Sequence, residues 1–306
     1  MTRPGPTQTR LTQARRRWRR WFAQIGKILA ALVLVAGIVL TAIMVRVCTT
    51  AKPPVLQKST PFFRGLPRVV NIAHRGASES APEHTLEAYE LALRQGADVL
   101  ELDVRSTLDG VLLVAHDKNL QRILGLELVI AEHSFEELSA RAGPRCPPRL
   151  EDVLVRYPRV RFNLELKDET LEAAGALARV LEKTSAGDRV LVASAHAPVL
   201  TEFRHLTDSR VPTSASMNEA LQFVFCRLMG SSCAVRFVAL QVPAIGWLGL
   251  TDRDFLKDAH ALGLVVHYWT IDDAREQRAL IEVGADGIMT NRPGQLSQVL
   301  AQREKR

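Results

Sequence analysis

Cysteine is scarce in this chain of 306 residues, and the four present (Cys48, Cys146, Cys226, Cys233) form neither a C-x-x-C pair nor a zinc spacing with histidine. So few in so long a chain exclude a disulfide scaffold. Cys226 and Cys233 could bridge in an oxidising compartment; free thiols are the default. No G-x-G-x-x-G comes after the first apolar strand pattern, so the phosphate turn of a dinucleotide fold is missing. Acidic residues are absent from positions 1–50, where nine Lys and Arg stand. The whole chain carries 40 basic and 33 acidic side chains, net +7, so 31 basic against 33 acidic remain beyond that stretch. A nearly neutral remainder argues against a basic nucleic-acid surface.

The basic stretch gives way to an apolar one. Behind RRRWRRWF (15–22), Ile28 to Val45 are eighteen uncharged, mostly aliphatic residues, long enough to cross a bilayer core. We therefore expect a cytoplasmic tail at 1–27, a single transmembrane anchor at 28–48 and a proline-punctuated linker at 49–68. The positive-inside bias then places the rest of the chain on the periplasmic or extracytoplasmic side. The apolar run is longer than a secretory h-region, Arg46 stands directly after it, and no clean A-x-A site appears, so an uncleaved anchor is expected. A twin-arginine export reading of Arg19-Arg20 is the lesser alternative. Val-Arg-Val before Cys48 argues against lipidation there.

From Val69 onward, strand and helix patterns alternate. Apolar runs at 69–74, 99–104, 161–167, 189–195, 211–216, 237–242, 264–270 and 287–291 read as strands, and amphipathic stretches separate most of them. Gly96, Gly263 and Gly284 each stand between a helix pattern and a strand pattern, where a left-handed stop is needed. Eight such repeats in one domain of about 240 residues predict a (β/α)8 TIM barrel over 69–298, with a short tail at 299–306. An open doubly wound sheet is the alternative. Residues 110–149 break the alternation: Asp109-Gly110 suggests a hairpin back onto the second strand, then a polar, proline-rich excursion.

Alternation also sorts side chains by face. On the second strand Glu101, Asp103 and Arg105 share one side, and Leu100, Leu102 and Val104 the other. On the third, Asn163, Glu165 and Lys167 share a side. An acidic face reads either as a wet strand surface or as ligands for a hard cation. In a barrel, Glu101, Asp103 and Glu165 would meet at one mouth, where oxygen donors suit Mg²⁺ or Ca²⁺ better than Zn²⁺. His74 ends the first strand and His116 ends the hairpin; strand-end histidines are either structural or an acid–base pair. The remaining histidines lack partner spacing. The stretch 237–250 places an apolar loop around Trp247 after a strand, or a buried helix entry; it is too short for a second span.

In order, HRG (74–76), APEHT (81–85), ELDV (101–104), T-x-DG (107–110), AHD (115–117), NLELK (163–167), HYWT (267–270) and GADGIMTNRP (284–293) resemble the glycerophosphodiester phosphodiesterase family, relatives of the venom phospholipases D. The resemblance covers roughly 68–295. It implies a TIM barrel with a small insertion after the second strand and one divalent cation on Glu101, Asp103 and Glu165. It implies His74 and His116 as catalytic residues, with His116 expected on the leaving group, and Trp269 as a pocket tryptophan. Arg75 and Lys167 are candidates for holding phosphoryl oxygens, or for pairing with the same carboxylates. The implied substrate is a small glycerophosphodiester or a lysophospholipid. Three departures stand out: His84 replaces the asparagine of a PENT-like motif, TNRP replaces TDRP, and WTID replaces WTVN.

Overall fold

The structure, a computed structural model, describes residues 60–231 and 233–304. The expected tail at 1–27, the anchor at 28–48 and most of the linker lie outside these residues. Among the described residues no helix is long and apolar enough to cross a membrane.

The alternation forms as expected: β1 (Val70–His74), α1 (Leu86–Arg94), β2 (Val99–Ser106), then the insertion with β3 (Leu112–Val114), α2 (Gln121–Leu124) and α3 (Phe135–Ala142). Next come α4 (Leu150–Arg156), β4 (Arg161–Leu166), α5 (Leu171–Lys183), β5 (Val190–Ala193), α6 (Ala197–Leu206) and α7 (Met217–Leu228). The chain ends in β6 (Ala239–Pro243), α8 (Arg253–Ala261), β7 (Val265–Trp269), α9 (Ala274–Val283), β8 (Gly287–Thr290) and α10 (Pro293–Glu304). The strands lie in the order β5-β4-β2-β1-β8-β7-β6, with β3 antiparallel on β2. This is a TIM-barrel-like fold, a parallel sheet of seven strands curled on itself.

One expected strand is absent. Residues 211–216 hold only single bridges, Thr213 to Val192 of β5 and Ser214 to Ala239 of β6, which join the two ends of the sheet. Pro212 has no N–H for a ladder. Arg204 of α6 also takes the Thr213 hydroxyl (2.8 Å) and the Ser214 carbonyl (3.2 Å), tying this segment to a helix.

Two expected boundaries also move. Pro61–Phe63 forms a 3₁₀ turn, and Phe62 is buried inside the sheet against Val70, Ile72, Val99, Leu191, Ala239 and Met289. Arg161 secures it by donating to the Phe62 carbonyl (2.8 Å). The domain thus includes residues assigned to the linker. At the other end α10 runs through the expected tail to Glu304, with Leu296 and Val299 buried. Leu100, Leu102 and Val104 face outward into the helix layer, as their alternation requires. The insertion closes over its own small core of Leu113, Leu120, Leu128, Ile130 and Leu138.

Candidate active site

Register brings the inward-facing side chains of three strands together. His74 of β1 stands opposite Glu101 of β2, and Asp103 opposite Glu165 of β4. Glu101, Asp103 and Glu165 each offer an oxygen within 4.8 Å of the others. Glu101 and Asp103 are buried, each 1% exposed, so the wet-strand alternative does not hold. Arg75 and Lys167 both pair with this cluster. Lys167 Nζ lies 3.0 Å from Asp103 Oδ1 and 2.9 Å from Glu165 Oε1, and Arg75 Nε lies 3.1 Å from Asp103 Oδ2. The Arg75 backbone N–H donates to Glu101 Oε2 at 2.9 Å.

These neighbours divide the carboxylates. Burial pushes the Glu101 carboxyl well above its usual range, and the charges of Asp103 and Glu165 add to that. Burial acts the same way on Asp103, but the His84 hydrogen bond and the Lys167 and Arg75 charges outweigh it and hold this carboxyl well below its ordinary value. Lys167 is desolvated too, yet Asp103 and Glu165 raise it and keep it charged. The donor set tests well for a divalent cation: it is all oxygen, it already draws an ammonium between two carboxylates, and Glu101 is met by a backbone N–H where its neighbours are met by side-chain cations.

The two histidines stand in different surroundings. His74 Nδ1 lies 2.8 Å from Asn291 Oδ1. The Asn291 amide is oriented by Asp272, which accepts from its Nδ2 (2.7 Å) and its backbone N–H (2.8 Å). The oxygen therefore faces the imidazole, so Nδ1 carries the proton and Nε2 is the basic nitrogen. Burial lowers the His74 pKa below 6.5, and the bond to Asn291 partly offsets this. His116 comes just after β3; its Nδ1 meets Asp117 Oδ1 at 2.7 Å, and its carbonyl accepts from Arg105 Nε at 2.7 Å. Trp269 ends β7 and is 40% exposed, so it is no core residue. Trp247 is 85% exposed on the loop after β6, which rules out a buried helix entry there.

The three departures fall in two places, one beside Asp103 and one beside His74. His84, buried, directs Nε2 to Asp103 Oδ2 (2.9 Å) and Nδ1 to the Tyr89 hydroxyl (3.3 Å). The altered residues of TNRP and WTID are Asn291 and Asp272, and they touch: the Asn291 amide donates to the Asp272 carboxylate. Thr85 caps α1 by accepting from the Ala88 N–H. Gly76 of HRG has φ +85°, and a Cβ there would meet the Ala88 backbone at 2.8 Å. Sequence reasoning missed Glu83, Asp117, Arg122, Asp272 and Asn291 as partners of the site. Asp117 adjoins His116, and both odd motifs were visible, but their contacts span 18 to 217 residues of chain.

Residues 74–295 match the Glycerophosphoryl diester phosphodiesterase family. The chain belongs to this family. The probable glycerophosphodiester phosphodiesterase 2 of Mycobacterium tuberculosis is 30% identical over 243 residues, 76% of this chain and 91% of that protein. Lysophospholipase D GDPD3 of Mus musculus is 25% identical over 272 residues, 76% of this chain and 82% of that protein. Among solved structures, a phosphodiesterase from Oleispira antarctica in complex with the product sn-glycerol-3-phosphate is 25% identical, with a TM-score of 0.62 over 77% of this chain and 97% of that one. The family match runs from His74 across all three carboxylates to the Asp272–Asn291 pair.

Proposed function

We propose that this phosphodiesterase hydrolyses glycerophosphodiesters to glycerol 3-phosphate and an alcohol, using His74 and His116 as base and acid and one divalent cation, Mg²⁺ or Ca²⁺, on Glu101, Asp103 and Glu165. The convergence of those three carboxylates, with His74 opposite Glu101 and both imidazoles oriented by hydrogen bonds, carries the reading. A bound dication would neutralise the carboxylates and draw charge from a phosphoryl oxygen. Arg75 and Lys167 hold the phosphoryl group and stabilise the charge it gains in the transition state. His74 Nε2 takes the proton of the attacking oxygen. As the bond from phosphorus to the leaving oxygen breaks, His116 gives that oxygen a proton. Trp269 flanks the substrate at the end of β7.

A second reading has one observation in its favour. The loop after β6, Ala244 to Leu250, carries no charge, and its Trp247 and Leu248 are exposed. An apolar tip of that kind suits a lysophospholipid substrate and a lysophospholipase D activity. We also assign the chain to a membrane with a single pass at 28–48, its N-terminus cytoplasmic and its catalytic domain outside; the arginine-flanked apolar run supports this. The purified full chain with Mg²⁺ or Ca²⁺ should release glycerol 3-phosphate from glycerophosphocholine and stop on addition of EDTA. Failure to turn over any glycerophosphodiester would falsify the first reading. Faster release of lysophosphatidic acid from lysophosphatidylcholine would favour the second.

A further inference from the structure

His116 has a partner that is poorly anchored by itself. Asp117 is its sequence neighbour, lies beyond the end of β3, and keeps 28% of its side chain exposed. The insertion supplies the anchor. Arg122, on the single turn of α2, donates from Nε to Asp117 Oδ2 at 2.6 Å. The other edge of the same guanidinium donates from NH1 to Glu83 Oε2 (2.9 Å) and from NH2 to Glu83 Oε1 (2.6 Å). Glu83 in turn faces Arg75 NH1 at 3.3 Å, and Arg75 pairs with Asp103. An unbroken series of opposite charges thus runs from His116 through Asp117, Arg122, Glu83 and Arg75 to the carboxylate cluster. Both acids that Arg122 grips are held below their usual range. Burial works against this at each, and it is overcome by Arg122 with His116 at Asp117 and by Arg122 with Arg75 at Glu83.

We propose that Arg122 is a positioning residue for the leaving-group acid, and that the insertion is thereby a working part of the site. Resting on the phosphodiesterase reading above, the role is specific. A planar guanidinium can grip two carboxylates along two edges at once, which an ammonium cannot do. Gripped, Asp117 keeps Oδ1 on the His116 Nδ1–H and leaves Nε2 to face the leaving oxygen. In the protonated imidazole Asp117 balances the positive charge; once Nε2 has given up its proton, Nδ1–H still points at Asp117, so the ring does not turn. Through Glu83 the same side chain fixes the far edge of Arg75, coupling the acid to the phosphoryl-binding arm.

The test compares leaving groups in the full-length enzyme. Arg122→Gln should lower kcat about a hundredfold on a glycerophosphodiester with an alkoxide leaving group, the low end of what general-acid catalysis supplies, while KM changes little. On a 4-nitrophenyl phosphodiester, whose leaving group needs no proton, the loss should be at least tenfold smaller. Arg122→Lys should fall between wild type and Arg122→Gln. Equal losses on both leaving groups, a loss confined to KM, or no loss would overturn the proposal. Wild-type inactivity on both substrates would instead reject the phosphodiesterase reading. In that event ¹⁵N-labelled histidine in the full chain decides the positioning claim separately: Nδ1–H on His116 in wild type, and mixed tautomers in Arg122→Gln, support it, whereas identical spectra reject it.

Discussion

The two ends of the sheet interior differ by one inward position along a strand. At the lower end Val70, Ile72, Val99, Leu191, Ala239 and Met289 close around Phe62. At the upper end the same inward faces carry Glu101, Asp103, Glu165 and Lys167. On β2 the change falls between Val99 and Glu101, two residues apart and both 1% exposed. Equal burial therefore conceals two kinds of support. The lower end is held by apolar packing, where each lost group costs stability. The upper end is a set of buried charges whose desolvation consumes much of their mutual attraction. Stability should reside mainly below and activity above, and substitutions can separate them.

The largest effect is expected at the upper end. Glu101→Gln keeps the shape of the side chain and removes its charge. Glycerophosphodiester turnover should fall about a thousandfold or more, the scale on which preorganised charge acts in a dry site. The metal-free variant should melt no lower than metal-free wild type, because the lost carboxylate was burdened by burial and by two acidic neighbours. Wild-type turnover in this variant would detach Glu101 from the chemistry.

Phe62→Ala is the counterpart at the lower end. Denaturant titration should show a loss of about 3 kcal/mol, since a fully buried aromatic ring leaves a cavity that strands cannot collapse to fill. The kcat of the folded fraction should stay near wild type. A large fall in kcat with intact stability would show that the two ends are not separable.

The third effect joins the ends through pH. Glu101 has a raised pKa in the folded protein, so between 4.5 and that raised value the folded state binds more protons than the unfolded state. The contribution of this group to stability is present at low pH and is lost as pH rises through that window. A dication held by Glu101, Asp103 and Glu165, as proposed, would take the place of the proton. Without divalent ions the melting temperature of wild type should therefore shift downward relative to that of Glu101→Gln as pH rises above 4.5. Added Mg²⁺ or Ca²⁺ should restore about 2.7 kcal/mol at a hundredfold excess over Kd, and more at higher pH. Calorimetry with and without EDTA across pH checks the sign; stabilisation that shrinks with rising pH would contradict it.

Sequence alone made the carboxylates legible, because strand alternation is rigid: Glu101, Asp103, Glu165 and Lys167 could share only one face, and the ladder register did the rest. The same rule misread 211–216, where Thr213 and Ser214 bond to Arg204 and Pro212 lacks a donor. Phe62 was only half legible, as a residue resting either on lipid or on the domain, for a different reason. Its stretch has no period of its own, and its burial depends on a hole that only the curled sheet creates. Arg122 and Glu83 lie 39 residues apart, and the insertion that joins them obeys no periodic pattern. Local rules reach the face of a strand; they do not reach which loops fold over it.

Asn291 offers the smallest and most diagnostic change. In the proposed role of base His74 would work in its neutral form, so the acidic limb of kcat/KM would track its pKa and should lie below 6.5 in wild type, where burial dominates. The Asn291 oxygen favours the protonated ring, so Asn291→Leu should move that limb to lower pH. Asn291→Asp sets a negative charge on Nδ1–H and should move it to higher pH by about one unit, equivalent to about 1.4 kcal/mol or a tenfold loss on the acid side. In that variant two carboxylates, Asp272 and the new one, would meet where an amide now bonds a carboxylate at 2.7 Å. Adding Asp272→Asn should relieve this clash while leaving a carboxylate on His74, so the double variant should recover stability yet keep the raised limb. If stability and limb instead return to wild type together, the pair acts as one unit and the exchange of amide for carboxylate is neutral to the base; if the limb is raised only in the single variant, repulsion and not the hydrogen bond to His74 moved it.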